Sequence, residues 1–217
     1  MLIIMKNLLE GRCYHYSMTA VTWERSEIRR YLNSTFLFSF NEADRRRIIE
    51  TTLVNNNNPW DFTDWYSDSF DFRTGHRVIN FYGHANTPGG SNTDDRIFLL
   101  SINELLRYFG DSGWITKGEV IGFNDRLEAS TNHPNFGINQ GRSIYDQYSE
   151  SRTSRFGRQS INYTAQWDWW LRSPGGRPDF AAFVDTIGGI NLLGFAVNRP
   201  GGNRPGIRPA LWLDMTP

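Results

Sequence analysis

The residue types that most often carry chemistry are sparse in this chain, and their spacing matches few known kinds of site. Cys13 is the only cysteine, which excludes an intrachain disulfide and any site built from several cysteines. His76 and His84 lie eight positions apart in a polar stretch, without a carboxylate or a third histidine at metal-ligand spacing. We therefore interpret both histidines as ordinary loop residues.

A group of oxygen-bearing residues, Asn92, Asp94 and Asp95, offers the ligands that calcium prefers. The same residue types are typical of a turn that caps the strand predicted at 96–100, and we favour the turn. His133-Pro134-Asn135 predicts a further turn. We therefore assign no metal site and expect no cofactor.

Motifs of nucleotide-binding and hydrolytic proteins are missing from the sequence. The chain has no G-x-x-x-x-G-K-[ST] loop, no G-x-G-x-x-G after a predicted strand and no G-x-S-x-G elbow. Catalysis by paired carboxylates stays open, but no specific pair stands out. The expectation is a protein that is not an enzyme and has no catalytic residues.

Length and charge limit the class of protein. A chain of 217 residues can bury one core, and we expect a single domain over residues 1–217. The formal net charge is zero, so no overall field favours nucleic acid or an anionic membrane as partner. No segment approaches the roughly 18 apolar residues of a membrane span, and the opening 1–6 is too short for a secretory signal. Oligomeric state and localisation stay open, with a phage virion or cell-surface display through other factors as alternatives.

Local signals predict short helices and short strands, an α+β composition. Thr22, Asn41 and Ser101 are the expected helix N-caps, and Ser101 with Glu104 forms a capping box. A further helix is predicted near 142–151. The predicted strands of this part of the chain are 2–5, 49–54, 77–82 and 96–100.

The chain alternates between irregular and β-rich regions. Residues 55–95 and 110–165 are polar and glycine-bearing, and we expect them to be long insertions. Residues 167–214, by contrast, should form a C-terminal β region. Within it Gly188-Gly189 predicts a hairpin between strands at 182–187 and 190–197.

Two strands of this C-terminal region carry further signals. Trp167, Trp169 and Leu171 alternate and should share one face of a strand. The last strand, 207–213, contains Pro209, which indicates an edge position or a bulge because proline has no N–H for the ladder.

Two blocks frame the end of the chain. The first, 167–175, reads W-D-W-W-L-R-S-P-G, and the second, 206–214, reads G-I-R-P-A-L-W-L-D. Between these framing blocks lie glycine pairs, arginines and large apolar side chains without a clean period. Such a stretch is either unusual core or a recognition surface. The aromatic content of 15% fits a β-rich domain as well as a binding surface.

The chain resembles a bacterial and phage family of largely uncharacterised domains, and the resemblance covers nearly its whole length. Four motifs carry it in the same order: T-W-E at 22–24 followed by Y-L-N at 31–33, N-T-D-D-R-I-F-L-L-S at 92–101, W-W-L-R-S-P-G at 169–175, and G-I-R-P-A-L-W-L at 206–213. The last two motifs are the most specific.

The resemblance implies a C-type-lectin-like fold with small antiparallel sheets, two or more short helices and long irregular loops. Some members of this fold group are the variable proteins of diversity-generating retroelements, in which a reverse transcriptase copies a template with errors at adenines. The implied function is non-enzymatic ligand binding, in which a constant scaffold displays a hypervariable C-terminal face. The chain departs from the pattern in its longer insertions, and in starting so close to the first motif that an upstream strand is expected to be missing.

The composition between the framing blocks agrees with adenine-directed variation. Asparagine codons altered at their adenines cannot yield Trp, Met, Lys, Glu or Gln, and none of these occurs between Gly175 and Gly206. A glycine-rich β segment would show the same absence. If the chain is such a ligand-binding protein, the side chains that bind the ligand should face solvent. They are Arg177, Asp179, Phe180, Phe183, Ile187, Ile190, Leu192, Leu193, Phe195, Asn198, Arg199 and Asn203. The scaffold residues are Trp169, Trp170, Arg172, Arg208, Leu211 and Trp212.

This interpretation makes a direct prediction about stability. Replacing Phe180, Leu192 and Phe195 together by serine should leave the melting temperature nearly unchanged if they lie at the surface. Phe183 and Val184 are as well explained by an ordinary core. The expected partner is a protein, with a glycan as the alternative.

Other functions compete with a diversified receptor. The closest alternative is a non-diversified structural or adhesion module of a phage particle or bacterial envelope. An enzyme of the formylglycine-generating type shares a related fold but uses a cysteine pair, and this chain has only Cys13. Calcium-dependent sugar binding would show a Glu-Pro-Asn or Gln-Pro-Asp loop and a Trp-Asn-Asp motif, and neither occurs.

Overall fold

The computed structural model describes residues 1–58, 66–71, 76–81, 86–113, 143–157, 166–199 and 204–216. These ranges contain short helices and small antiparallel sheets, which confirms the α+β class. His84, the turn predicted at His133-Pro134-Asn135, and Asn203 lie outside the described residues.

The helices are short and most lie in the first half of the chain. The α-helices of the described ranges are α1 (Glu27–Tyr31), α2 (Glu42–Arg47), α3 (Ile102–Phe109) and α4 (Ser149–Arg152). A 3-10 turn at Trp23–Arg25 precedes α1, and a π turn at Leu32–Phe36 and a 3-10 turn at Leu37–Ser39 follow it.

Two of the three predicted N-caps are confirmed. The side chain of Asn41 accepts a 2.9 Å hydrogen bond from the amide three residues later. Ser101 and Glu104 form the predicted capping box, with bonds of 3.2 and 2.8 Å. The prediction for Thr22 was wrong, because a 3-10 turn follows it and its side chain caps nothing. Ser26 caps α1 instead.

The strands form two sheets of four strands and two ribbons. The first sheet contains β1 (Leu2–Ile4), β2 (Ile48–Ile49), β7 (Ile97–Phe98) and β12 (Ala210–Leu213). The second has the order β8 (Ser143–Ile144), β11 (Ile190–Ala196), β10 (Phe180–Val184) and β9 (Trp169–Pro174). The ribbons pair β3 (Thr51–Leu53) with β6 (Thr93–Asp95), and β4 (Tyr66–Asp71) with β5 (His76–Phe81).

The last strand lies at the centre of the first sheet, which corrects the prediction drawn from Pro209. β12 pairs with β1 along one side and with β7 and β2 along the other. It begins at Ala210, so the proline precedes the ladder and its missing N–H breaks no strand pair. The carbonyl of Pro209 accepts a 3.0 Å hydrogen bond from Met5.

Some predicted elements are shorter or divided in the structure. The strand predicted at 49–54 is broken at Glu50 into β2 and β3, which pair with different strands. Only Ile97 and Phe98 of the predicted strand 96–100 are paired. The helix predicted near 142–151 is replaced by β8 and the single turn of α4.

The second sheet contains the predicted hairpin. β10 and β11 are antiparallel, and Gly188 adopts φ +85° in the turn between them. A Cβ atom on Gly188 would lie 1.7 Å from the carbonyl oxygen of Ser149, so the turn packs closely against α4. The local sequence therefore predicted the hairpin, while its tight packing against α4 depends on a distant segment.

The strand β9 is buried on both of its faces. All six of its residues are buried, from Trp169 to Pro174. Trp169 and Leu171, predicted to share one face, both lie in this strand, and Trp170 on the opposite face is as fully covered as Trp169. The buried apolar side chains of β9, β10, β11 and α3 belong to one hydrophobic cluster.

Candidate ligand-binding surface

Arg172, in the first framing block, joins β9 to two other segments, 54–55 and 99–104. Its Nε donates to Asn55 Oδ1 at 2.8 Å, and its Nη1 donates to Leu99 O and Glu104 Oε2, both at 2.8 Å. Its Nη2 donates to Val54 O at 3.2 Å. The side chain is only 2% exposed, so these bonds replace the water that the guanidinium loses on burial. Arg172 therefore helps to hold β9 in place.

Arg208, in the second framing block, has a comparable role at the other end of β9. Its Nε donates to Met5 O at 2.9 Å and its Nη1 to Arg152 O at 3.1 Å. The guanidinium carbon lies 4.9 Å from the centre of a Trp169 ring and 5.0 Å from that of Phe109. Burial lowers the pKa of Arg208 to about 10, which leaves it charged at neutral pH.

The earlier motifs also build the scaffold. Trp23 Nε1 and Thr93 Oγ1 both donate to Asp95 Oδ2 at 2.8 Å, and Arg29 Nε donates to its Oδ1 at 2.7 Å. Asn33 closes the same junction, because its Oδ1 accepts from the amides of residues 96 and 97. The T-W-E, Y-L-N and T-D-D-R-I-F motifs are thus parts of one hydrogen-bonded unit.

These contacts also bear on the oxygen cluster considered for calcium. Asp95 is 1% exposed and its carboxylate is held by the protein. Asp94 Oδ1 accepts from Thr52 Oγ1 at 2.6 Å, and Asn92 Oδ1 accepts from the amide of Asn55 at 3.3 Å. All three side chains therefore bind neighbouring protein groups. The predicted turn was wrong for Asp94 and Asp95, because both lie in β6 and pair with β3.

Several side chains expected at the surface lie in the core, so this part of the prediction was wrong. Phe183 is 1% exposed, Ile190 0%, Leu192 2% and Leu193 4%. The reason is that β11 lies between β8 and β10 and the sheet is covered on both faces. The expectation that a triple serine variant including Leu192 would keep its melting temperature is overturned as well.

The glycine that ends the first framing block and a glycine of the following segment are equally constrained. A Cβ on Gly175 would lie 2.3 Å from the carbonyl oxygen of Leu193. A Cβ on Gly194, which has φ +82°, would lie 2.2 Å from the carbonyl oxygen of Ala181. Substitution would therefore strain the backbone at these positions, so the segment between the framing blocks cannot be rewritten freely.

The remaining described members of the predicted binding set are only partly buried. They are Arg177, Asp179, Phe180, Ile187, Phe195, Asn198 and Arg199, and we call them the partly exposed set. Of the other scaffold residues, Trp169 and Trp170 are 0% exposed, while Leu211 and Trp212 are half-buried against the core.

Two phenylalanines in this set each carry an arginine on the ring. Arg177 lies 4.7 Å from the ring centre of Phe180 and makes a bidentate pair with Asp179 at 3.0 and 2.8 Å. Arg199 lies 3.5 Å from the ring centre of Phe195. The cation–π contacts and the ion pair restrict these long side chains before any partner binds.

Phe195 is anchored from beneath. Its ring stacks on that of Phe183, with centres 3.8 Å apart and planes 12° apart, and meets Trp170 edge-on at 6.5 Å. Arg199 and Phe183 are both too close to the same ring centre to share one face of Phe195. The ring is therefore held between a core phenylalanine and a partly exposed arginine.

A pair of carboxylates that sequence reasoning missed lies at the end of the second sheet. Asp168 precedes β9 and Asp185 follows β10, and the antiparallel register brings them to the same end. Burial, followed by the charge of Asp185, raises the pKa of Asp168 to about 6, while Arg199 acts in the opposite direction. The two residues are far apart in sequence, so only the strand register could have revealed them.

Asp185 has a structural role in the hairpin. Its Oδ1 accepts from the amides of Ile187 and Gly189 at 3.1 and 2.8 Å, and the hydroxyl of Tyr145 donates to its Oδ2. The turn thus fixes the backbone of Ile187, whose side chain is half-buried.

The crevice beside the partly exposed set is small. It leaves almost no space for even a water-sized molecule, and its lining residues are Tyr14, Val21, Thr22, Trp23, Gly89, Arg172, Pro174, Phe180 and Ala181. Pockets for drug-sized ligands usually hold about 300–1,000 Å³. This site therefore suits contact with a partner across a surface better than enclosure of a small molecule.

The described residues contain neither a cluster of metal ligands nor a helix that could span a membrane. Among these residues no three His, Cys, Asp or Glu side chains come close enough to hold a metal ion. No helix in the same part of the chain is both long and apolar enough to cross a membrane.

The fold and the surface define an α+β domain whose short strands are held by buried arginine, tryptophan and aspartate side chains. Residues 1–215 match the family described as Domain of unknown function (DUF6273), and the chain belongs to that family. The comparisons with curated proteins and with solved structures gave no match.

Proposed function

We propose that the chain is a non-enzymatic ligand-binding protein with a C-type-lectin-like fold, and that the partly exposed set forms its binding surface. The observation that carries the proposal is the pair of arginine-covered phenylalanines, Phe180 and Phe195, on a backbone fixed by buried side chains. Arginine and aromatic side chains provide most of the energy in many binding sites. Their preset geometry lowers the entropy lost on binding.

The framing blocks give this surface its rigidity. Arg172 and Arg208 bind carbonyl groups of distant segments, so the position of β9 does not depend on the partly exposed side chains. Binding residues on a separately stabilised scaffold can differ between related proteins without loss of the fold.

We further propose that retroelement-directed variation, in this gene, is confined to the partly exposed set and Asn203. The core positions Phe183, Ile190, Leu192 and Leu193 would be excluded because changes there destabilise the sheet. Deep sequencing of the gene and its neighbouring DNA tests this. We expect a near-copy of the segment coding for 166–208 beside a reverse transcriptase gene, with adenine substitutions in the codons of the partly exposed set. Substitutions spread evenly over core and surface codons would contradict it.

Binding itself is tested with purified protein, a displayed library of twelve-residue peptides and a glycan array. We expect binders to at least one of these probes that are lost when Arg177 and Arg199 are both replaced by serine. The matched control replaces Arg25 and Arg46, whose side chains are 82% and 76% exposed, and removes the same charge elsewhere. Equal loss of binding in both double variants would show that the effect is one of overall charge.

A second candidate function is a non-diversified structural or adhesion module of a phage particle or bacterial envelope. The observation that favours it is the burial of Leu192 and Leu193 and the close packing of Gly188, which leave little freedom for rewriting. The absence of any template copy beside the gene would favour this candidate over the diversified receptor.

A further inference from the structure

An exposed loop from the N-terminal part of the chain borders the partly exposed set. The loop runs from His15 to Ala20, and its residues 16–20 are exposed. Tyr16 and Met18 are 63% and 52% exposed, although both are large and largely apolar. Large apolar side chains that stay in water mark candidate contact sites when they adjoin other such groups.

Backbone hydrogen bonds fix both ends of this loop next to the binding residues. The amide of His15 donates to Val197 O at 2.9 Å, and the amide of Val21 donates to Pro178 O at 2.9 Å. Pro178 lies between Arg177 and Asp179, and Val197 immediately precedes Asn198.

The two anchoring segments are also bonded to each other. The amide of Val197 donates to Asp179 O at 3.0 Å. Cys13, just before the loop, directs its Sγ to Arg199 O at 3.4 Å. The loop and the two arginine–phenylalanine pairs therefore belong to one continuous region of the molecule.

The composition of this region points to the kind of partner. Neither the loop 15–20 nor the segment 177–199 contains a lysine or a glutamate. Tyrosine, phenylalanine, methionine and arginine are enriched in protein–protein interfaces, whereas lysine and glutamate are depleted. Arg177 is already neutralised by Asp179, so the region does not select a strongly charged ligand.

We propose that loop 15–20 extends the binding surface and that the ligand of this surface is a protein, bound through apolar contacts of Tyr16 and Met18 beside Phe180 and Phe195. This inference rests on the proposed function, since it assigns a partner and further residues to the same surface.

The test uses the full chain and peptides selected on it from the displayed library. We expect replacement of Tyr16 and Met18 by serine to weaken peptide binding at least tenfold without a change in melting temperature, because both side chains are exposed. Phe38→Ser is the matched control, since Phe38 is 67% exposed on a different segment. It should leave peptide binding unchanged.

Other outcomes would overturn the inference. Suppose that peptide binding is lost in the Arg177 and Arg199 double variant but unchanged in the loop variant. The loop would then not belong to the binding surface, and the proposed function would still stand. Saturable binding to glycans alone would exclude a protein partner. The proposal that the partly exposed set forms a binding surface would still stand. Failure of both probes to bind the wild-type chain would overturn the proposed function and this inference together.

Discussion

The replacement of Arg172 by lysine tests whether the first framing block holds the fold together. Lysine keeps the positive charge but offers a single ammonium group, which can follow only part of the guanidinium geometry. Arg172 donates to four oxygen atoms, on Asn55, Leu99, Glu104 and Val54. If the ammonium keeps its contact with Glu104, three acceptors lose their donor, and the bonds to two of them, on Asn55 and Leu99, are buried.

The expected magnitude follows from those lost bonds. A net contribution of about 1 kcal/mol for each hydrogen bond gives a loss of about 3 kcal/mol in the free energy of unfolding. For a domain of this length, that corresponds to a melting temperature lower by about 6–12 °C. Urea unfolding followed by tryptophan fluorescence and thermal unfolding followed by circular dichroism measure the two quantities.

Arg177→Lys is the matched control for this experiment. Its side chain is 26% exposed and pairs with Asp179, two residues away, so we expect a loss below about 1 kcal/mol. Equal stability of the two lysine variants would refute the argument that the buried contacts of Arg172 anchor the scaffold. If Arg172→Lys cannot be recovered folded, Glu104→Gln, which keeps the side-chain oxygen and removes its charge, supplies a milder test with a loss of about 1 kcal/mol.

Three further measurements address the core, the carboxylate pair and the cysteine. Leu192→Ala should lower the free energy of unfolding by about 2–5 kcal/mol, because Leu192 is buried. Phe180→Ala should lower it by less, because Phe180 is only half-buried. Equal losses in urea titrations would contradict the assigned burial. The raised pKa of Asp168, about 6 when folded, means that its contribution is most favourable below pH ~4 and is lost as the pH rises through about 6. Asp168→Asn should therefore gain stability relative to the wild type over that window, and a pH-independent difference would refute the assignment. Cys13 is 6% exposed, so a thiol reagent should modify it slowly in the native protein and rapidly in denaturant.

Sequence reasoning succeeded where the determining interactions are local. Asn41 and Ser101 were recognised as helix caps because their bonding partners lie three residues away. The hairpin at Gly188-Gly189 was recognised because a tight turn needs backbone angles that glycine adopts without strain. At Thr22 the same reasoning failed, because a helix start signal does not distinguish a 3-10 turn from an α-helix.

Burial of the C-terminal segment could not be read from its periodicity. Leu192 and Leu193 are adjacent, so an amphipathic strand would expose one of them, yet both are covered. A short continuous apolar run is also typical of a strand buried on both faces, and this was the available signal. Arg172 and Asp95 both lie in motifs that the sequence analysis singled out. Their structural roles depend on contacts between distant segments, which the motifs alone do not predict.

The central place of β12 in the first sheet has a consequence for how the protein is made. Because β12 lies far behind β1, β2 and β7 in the sequence, the ribosome synthesises these three strands long before the strand that joins them. Until then, the edges of these strands that pair with β12 stay unpaired in the nascent polypeptide. Unpaired strand edges are prone to aggregate. This sheet can therefore be completed only after Ala210–Leu213 has been synthesised, and a premature stop codon before Ala210 would leave it without its middle strand.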